Sequence, residues 1–233
     1  MFPSTKKQPE TGVIAHIKRL CPEILLTTTT LCYFMLSCFI FEKNLLIFYP
    51  VTTTLVFVSF HSVIEFIVFR YMWSWCKPAE PGFNFKFKSK TKMHQWVKGF
   101  MMFATCWLTS HIICVLFGAP LLSMVMETTS WASLVAVLIT IPGLCMFGVD
   151  VEKWYQVIVC GEYKSQDERF IYIQTLGVVL GSWASAIVIP LDWDRPWQTW
   201  PIPCVVGCIT GYLCAVMVSC VLTVKEMKTA KIQ

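Results

Sequence analysis

Six stretches of this chain run for 17 to 25 residues almost without charge: Ile24–Phe41, Leu45–Phe69, Gly99–Phe117, Trp131–Phe147, Ile171–Leu191 and Ile202–Val224. Each is about long enough to cross a ~30 Å hydrocarbon core as a helix. Barrel strands would be about ten residues long with alternating polarity. A continuous apolar run instead satisfies its backbone N–H and C=O groups in lipid only by coiling on itself. Composition agrees, with 56% hydrophobic and 14% charged residues, where a soluble domain carries about a quarter charged. The expected fold is an all-α membrane protein, a six-transmembrane-helix bundle that makes residues 1–233 a single polytopic domain. Trp131–Phe147, the shortest run, holds Pro142 and Gly143 and is the weakest helical pattern of the six. The first run follows 23 mostly polar residues and lacks an A-x-A site. It therefore reads as a retained span rather than a signal peptide. The largest polar block, Arg70–Lys98, has 29 residues, too few for a core of its own.

Lysine and arginine orient the bundle. With six spans, both termini and the second and fourth connections share one side, which then carries 17 of the 19 basic residues. The other side holds only Lys43 and Arg195. The positive-inside rule places both termini in the cytosol, with 70–98 a basic cytosolic loop and 192–201 a lumenal loop rich in Trp and Pro. The net charge of +5 is thus a topology signal, and no nucleic-acid partner is expected. Lys86, Lys88, Lys90 and Lys92 alternate with Phe83, Phe85 and Phe87. Such a segment fits either a solvated topology determinant or an anionic leaflet.

Of the twelve cysteines, most, among them Cys32, Cys38, Cys106, Cys114, Cys145, Cys208, Cys214 and Cys220, fall inside the apolar runs, where Cys packs as a small apolar residue. Cys204 and Cys208 are four apart, but no His or carboxylate stands nearby to complete a zinc site. No metal and no cofactor is expected.

Chemistry inside a membrane needs polar groups at one depth. His61 and Glu65 lie four apart on one helical face, and His111 is near the middle of the third run. A carboxylate in a span costs about 2.5–3.5 kcal/mol on insertion scales and is a functional suspect by default. Glu65, five residues before Arg70, also fits a group that reaches the interface. The chain has no G-x-S-x-G elbow, no phosphate-cradling Gly loop and no acidic cluster suited to two metals. Helix-packing signals are plainer. Gly177-x-x-x-Gly181 runs on to Ser185, and Gly207-x-x-x-Gly211 to Ala215. Small residues four apart allow close backbone approach, either of these two helices to each other or to another subunit.

The stretch Pro190-Leu191-Asp192-Trp193-Asp194-Arg195-Pro196-Trp197-Gln198-Thr199-Trp200-Pro201-Ile202-Pro203 is the most unusual. Its three tryptophans suit a membrane interface. Its prolines fix φ and remove N–H donors, and Asp192 or Asp194 is expected to pair with the Arg195 fork. Leu-Asp-Trp-Asp-Arg-Pro-Trp-Gln-x-Trp-Pro resembles the signature of the Pig-F (phosphatidylinositol-glycan class F) family. Phe117-Gly118-Ala119-Pro120-Leu121, followed by Glu127-Thr128, is similar to that family's Gly-Ala-Pro segment, and Pro142-Gly143-Leu144-Cys145 and the Gly-rich last two runs are similar as well. The likeness covers the chain from about Gly99 onward.

The resemblance implies a multi-pass protein of the endoplasmic reticulum membrane. It would serve GPI-anchor biosynthesis as the non-catalytic subunit of an ethanolamine-phosphate transferase. The implied partner is a catalytic subunit with a zinc-dependent, alkaline-phosphatase-like lumenal domain, with membrane lipid, the GPI precursor included, as a second contact. The residues it assigns to partner or lipid contact are Gly118, Ala119, Pro120, Glu127, Gly177, Gly181, Asp192, Trp193, Asp194, Arg195, Pro196, Trp197, Gln198, Trp200, Gly207 and Gly211, and it assigns no catalytic residue. The competing reading is a stand-alone enzyme or transporter for a lipid-linked substrate, working through His61, Glu65 and His111.

Overall fold

Helix starts and stops decide where the apolar runs become helices, and capping chemistry moves most of the boundaries. The computed structural model describes residues 30–31, 45–68, 92–120 and 122–230, and every regular element among them is helical. Leu45–Phe48 (α1) breaks at Tyr49, and Pro50 then opens Pro50–Ile67 (α2), the first-turn position where its missing N–H costs nothing. Lys92–Leu116 (α3) starts seven residues before the apolar run does, so Lys92–Lys98 are helical rather than part of the basic loop. Val125–Phe147 (α4) is 23 residues long, six more than its apolar run. Val151–Trp154 (α5) leads into a π turn, Tyr155–Val159. Gln166–Ser185 (α6) opens on a capping box, with the Ser165 hydroxyl accepting from the Glu168 N–H and the Glu168 carboxylate accepting in return. Ile202–Ala230 (α7) runs six residues past the apolar run.

Five of these helices are long and apolar enough to cross a membrane: Pro50–Ile67, Trp96–Leu116, Val125–Phe147, Gln166–Val188 and Ile202–Glu226. Of the sixth expected span, Ile24–Phe41, only Thr30 and Leu31 are described. Residues 70–91, with Phe83, Phe85 and Phe87, lie outside the described residues.

α4 stands at the centre and touches α2, α3, α6 and α7. It is apolar on every side, and 15 of its residues are buried, as a helix without a polar face must be. Its weak point is repaired from outside. Pro142 has no N–H to offer the carbonyl of Leu138 one turn earlier. The buried Gln174 side chain of α6 donates to that carbonyl at 2.8 Å. Gly143, next in the chain, leaves room for the Trp154 ring, whose Cζ2 would stand 2.6 Å from an added Cβ. Trp154 donates to the Gly148 carbonyl at 3.0 Å.

α6 and α7 form the tightest pair, antiparallel. A Cβ on Gly177 would stand 2.5 Å from the Gly211 carbonyl oxygen and 2.6 Å from the Ala215 Cβ. One on Gly181 would meet the Gly207 carbonyl and lie 2.8 Å from the Gly211 Cα. Gly207 in turn faces Ser185. The far ends are clasped by Arg169 and Gln166 of α6, both donating to Glu226 of α7. The antiparallel order collects Lys153, Lys164, Arg169, Lys225 and Lys228 at one end of the bundle and Arg195 at the other.

Candidate functional site

The connection between α6 and α7 is built around one side chain. A helix end leaves carbonyls without donors, and here prolines 190, 196 and 201 can supply no N–H. Gln198, the only side-chain amide between 190 and 203, does so. Its NH₂ donates to the carbonyls of Val188 at 2.9 Å and Leu191 at 2.8 Å, and its Oε1 accepts from the Arg195 N–H at 3.0 Å. Asp194 sits at φ 48°, a left-handed turn that Asp tolerates better than most residues. The expected ion pair is absent: Arg195 pairs with neither Asp192 nor Asp194. The turn is held by neutral hydrogen bonds, and among the described residues the guanidinium has no carboxylate partner.

The tryptophans divide between two tasks. Trp200 points inward, donates to the Thr128 hydroxyl at 3.2 Å and lies 5.8 Å from the Trp131 ring. Trp131 donates to Ser182 at 2.9 Å, so loop, α4 and α6 are joined. Trp193 and Trp197 pack edge-on at 5.9 Å and stay 55% and 38% exposed. Trp183 near the end of α6 and Ile187 just beyond it are also exposed.

The Gly118–Ala119–Pro120 segment lies at the same end and closes α3. Gly118 has φ 101°, Ala119 donates to the Cys114 carbonyl and Gly118 to that of Val115, both at 3.0 Å. This is a Schellman stop, with Gly at its left-handed position and Pro120 just beyond it. Ala119 packs on the core, while Gly118 and Pro120 are exposed. Glu127 occupies the first turn of α4, where a carboxylate meets the positive end of the helix dipole.

Gly177, Gly181, Gly207 and Gly211 do not belong to an outer contact surface. Each is filled by the opposing helix of the same chain, and no room remains for a helix of a partner. Of the two occupants their spacing permits, the structure selects the internal one.

The buried polar residues fall into separate places. His61 and Glu65 share one face of α2, Nε2 to Oε1 3.7 Å, both fully enclosed. Glu65 thus does not reach the interface. The Thr30 hydroxyl lies 3.3 Å from His61 Nδ1, Phe57 stacks on the imidazole, and Tyr212 of α7 meets it edge-on at 5.7 Å. His111 packs on Trp107 of its own helix and makes no contact with the pair among the described residues. The three groups of the enzyme-like reading are therefore not one site. Cys204 and Cys208 are buried free thiols, and no group of three metal-capable side chains occurs among the described residues. Cys32 and Cys38 lie outside them.

The model of the GPI biosynthesis protein family Pig-F matches residues 26–220. The chain is similar to the human "GPI ethanolamine phosphate transferase, stabilizing subunit", 35% identical over 134 residues, 56% of this chain and 61% of the relative. The mouse protein of the same name is 40% identical over 115 residues, 49% and 52% of the two chains. "Glycosylphosphatidylinositol anchor biosynthesis protein 11" of Yarrowia lipolytica is 35% identical over 100 residues, 43% of each. The matched stretch spans about two-fifths to three-fifths of these relatives. No solved structure matches the chain.

Proposed function

The chain belongs to the Pig-F family of GPI biosynthesis proteins, and from that membership we propose that it is the non-catalytic, stabilising subunit of a GPI ethanolamine-phosphate transferase. The names its human and mouse relatives carry support this role. The observation that carries it is the rigid Asp192–Trp200 turn. Gln198 locks its backbone while Trp193, Trp197 and Arg195, which has no ion-pair partner among the described residues, are exposed. Large amphipathic rings on a preorganised backbone lose little entropy on docking. Such a surface suits a protein partner at a membrane interface better than it suits catalysis.

In this reading the chain has six spans and cytosolic termini, sits in the endoplasmic reticulum membrane and presents the turn to the lumen. The uneven distribution of Lys and Arg supports that orientation. The contact surface comprises Asp192, Trp193, Asp194, Arg195, Pro196 and Trp197, flanked by Gly118, Pro120 and Glu127. Gln198, Trp200 and Ala119 support it from beneath. The partner is the catalytic subunit with a phosphatase-like lumenal domain, and the lipid-linked GPI precursor is a second neighbour of the turn. Mild-detergent purification of the tagged chain tests this. The transferase should co-elute near one-to-one with the wild type and fall away with Trp193→Ala plus Trp197→Ala, while the chain itself stays monodisperse. Full co-elution of the double variant would remove the turn from the interface. Glu65→Gln separates the enzyme-like reading: loss of anchor synthesis in a folded, intact complex would move the chemistry to His61 and Glu65.

A further inference from the structure

Of the five described spans, α3 is the least covered. Only 6% of its apolar stretch is buried, against 28–78% in the other four, and α4 is the neighbour it packs on. On its outer side Met101, Thr105, Leu108, Thr109, Ile112 and Leu116, at i, i+4, i+7, i+8, i+11 and i+15, form one exposed stripe. Apolar exposure alone does not call for a partner here, because acyl chains solvate Leu and Ile as well as a protein does. The polar members of this face decide the matter.

The Thr105 hydroxyl donates to the Met101 carbonyl of its own helix at 2.8 Å, the usual way a helix satisfies a threonine in lipid. Thr109, one turn on, makes no hydrogen bond among the described residues. The half-buried His111 beside the stripe has a buried Nδ1 with no hydrogen bond among them either. At 1.5 Å per residue, Thr109 and His111 stand about 10 Å and 8 Å inside the Leu116 end of α3. Acyl chains offer them neither donor nor acceptor. Imidazoles and hydroxyls at such depth face a cavity or another helix, where Ser, Thr and His bond across the contact. The uncovered face therefore calls for a helix with a hydrogen-bonding side chain.

The stripe also leads to the surface at the tryptophan end. Leu116, Phe117 and Leu122, at 79%, 77% and 86%, are the three most exposed large apolar side chains among the described residues. They flank Gly118 and Pro120. In the α4 turn that follows, Thr128 accepts from Trp200, so the α3 stop and the tryptophan turn adjoin the same end of α4.

We propose that the outer face of α3, from Met101 to Phe117, is the intramembrane seat of a transmembrane helix of the catalytic subunit, one that carries a hydrogen-bonding side chain level with Thr109 and His111. The inference rests on the subunit reading above. It adds a contact within the bilayer to the one at the turn, and it replaces the glycine faces of α6 and α7, which are filled from within the chain.

The test is mild-detergent co-purification of the full tagged chain with the transferase, together with a photo-crosslinking amino acid at Leu108 in the otherwise unchanged chain. Thr105→Trp with Thr109→Trp should lower the retained transferase at least tenfold, and His111→Leu about threefold, the size of one interhelical polar bond. Val63→Trp, on the exposed side of α2, should change nothing. The Leu108 probe should cross-link to the transferase. Full retention by the double variant, an equal loss with Val63→Trp, or a cross-link only to lipid or to a second copy of this chain overturns the proposal. Should the double variant not elute as a monodisperse species, the Leu108 cross-link alone decides. A wild-type chain that retains no transferase at all overturns the subunit reading itself, whereas a wild-type complex indifferent to α3 overturns only this seat.

Discussion

The Gln174 bond to the Leu138 carbonyl can be tested as a repair. Gln174→Leu removes the donor and leaves a buried carbonyl opposite Pro142 with no partner, which costs about 1–3 kcal/mol. Part of this is returned, because the Gln174 Oε1 is itself buried without a hydrogen bond among the described residues. The net loss expected is about 1–2 kcal/mol, or roughly 2–8 °C in Tm for a chain of this size. Pro142→Ala restores a backbone N–H in register with Leu138, so in that background the helix satisfies its own carbonyl. Gln174→Leu should then be nearly neutral, a coupling of about 1 kcal/mol, at the upper range for polar pairs between membrane helices. Thermal unfolding in one detergent, followed by thiol labelling of the buried Cys208, reads all four members of the cycle. If Gln174→Leu costs the same in both backgrounds, within about 0.5 kcal/mol, the amide is not replacing the missing proline donor and the reasoning is refuted.

Three further outcomes follow from the same geometry. Gly177→Leu or Gly211→Leu should abolish a monodisperse peak on size exclusion even without any partner, because the side chain would have to enter the opposing backbone. A well-behaved monomer would return these glycines to an outer surface. Gln198→Ala should cost about 1–3 kcal/mol by stranding the Val188 and Leu191 carbonyls, whereas Arg195→Ala, with no ion pair to lose among the described residues, should change the Tm of the isolated chain hardly at all. Glu65→Gln keeps the shape of an enclosed carboxyl that has no hydrogen bond among the described residues, with His61 Nε2 3.7 Å away, and should leave thermal stability equal or higher, since no buried charge then has to be accommodated. A marked loss on differential scanning would mean that the carboxylate has a partner it needs.

The number and place of the described spans were legible because the solvent is the bilayer: a long uncharged run has one low-energy backbone. Helix ends were less so, since hydropathy is blind to caps. Ser165 with Glu168, and Gly118 with Ala119, set boundaries through hydrogen bonds that add nothing to an apolar average. Lys92–Gln95 continue α3 although no apolar window includes them. The loop's tryptophans were visible as a cluster, but their division into Trp200 inward and Trp193 with Trp197 outward depends on where Thr128 and Trp131 arrive from α4. Gln198 was within reach of sequence reasoning: several prolines and one amide in a turn leave few other donors for helix-end carbonyls.

The sequence alone determined local matters: that the chain forms apolar helices, that His61 and Glu65 share a face, and that two glycine stripes permit close approach. These depend on spacing along one helix and on the solvent around it. Only the tertiary structure decided that the stripes close on each other, that Gln174 serves Pro142 from another helix, and that His111 stands apart from His61. Those outcomes depend on which helices become neighbours and at what rotation, and in lipid, where every apolar face is equally well solvated, complementary packing and unpaired carbonyls make that choice.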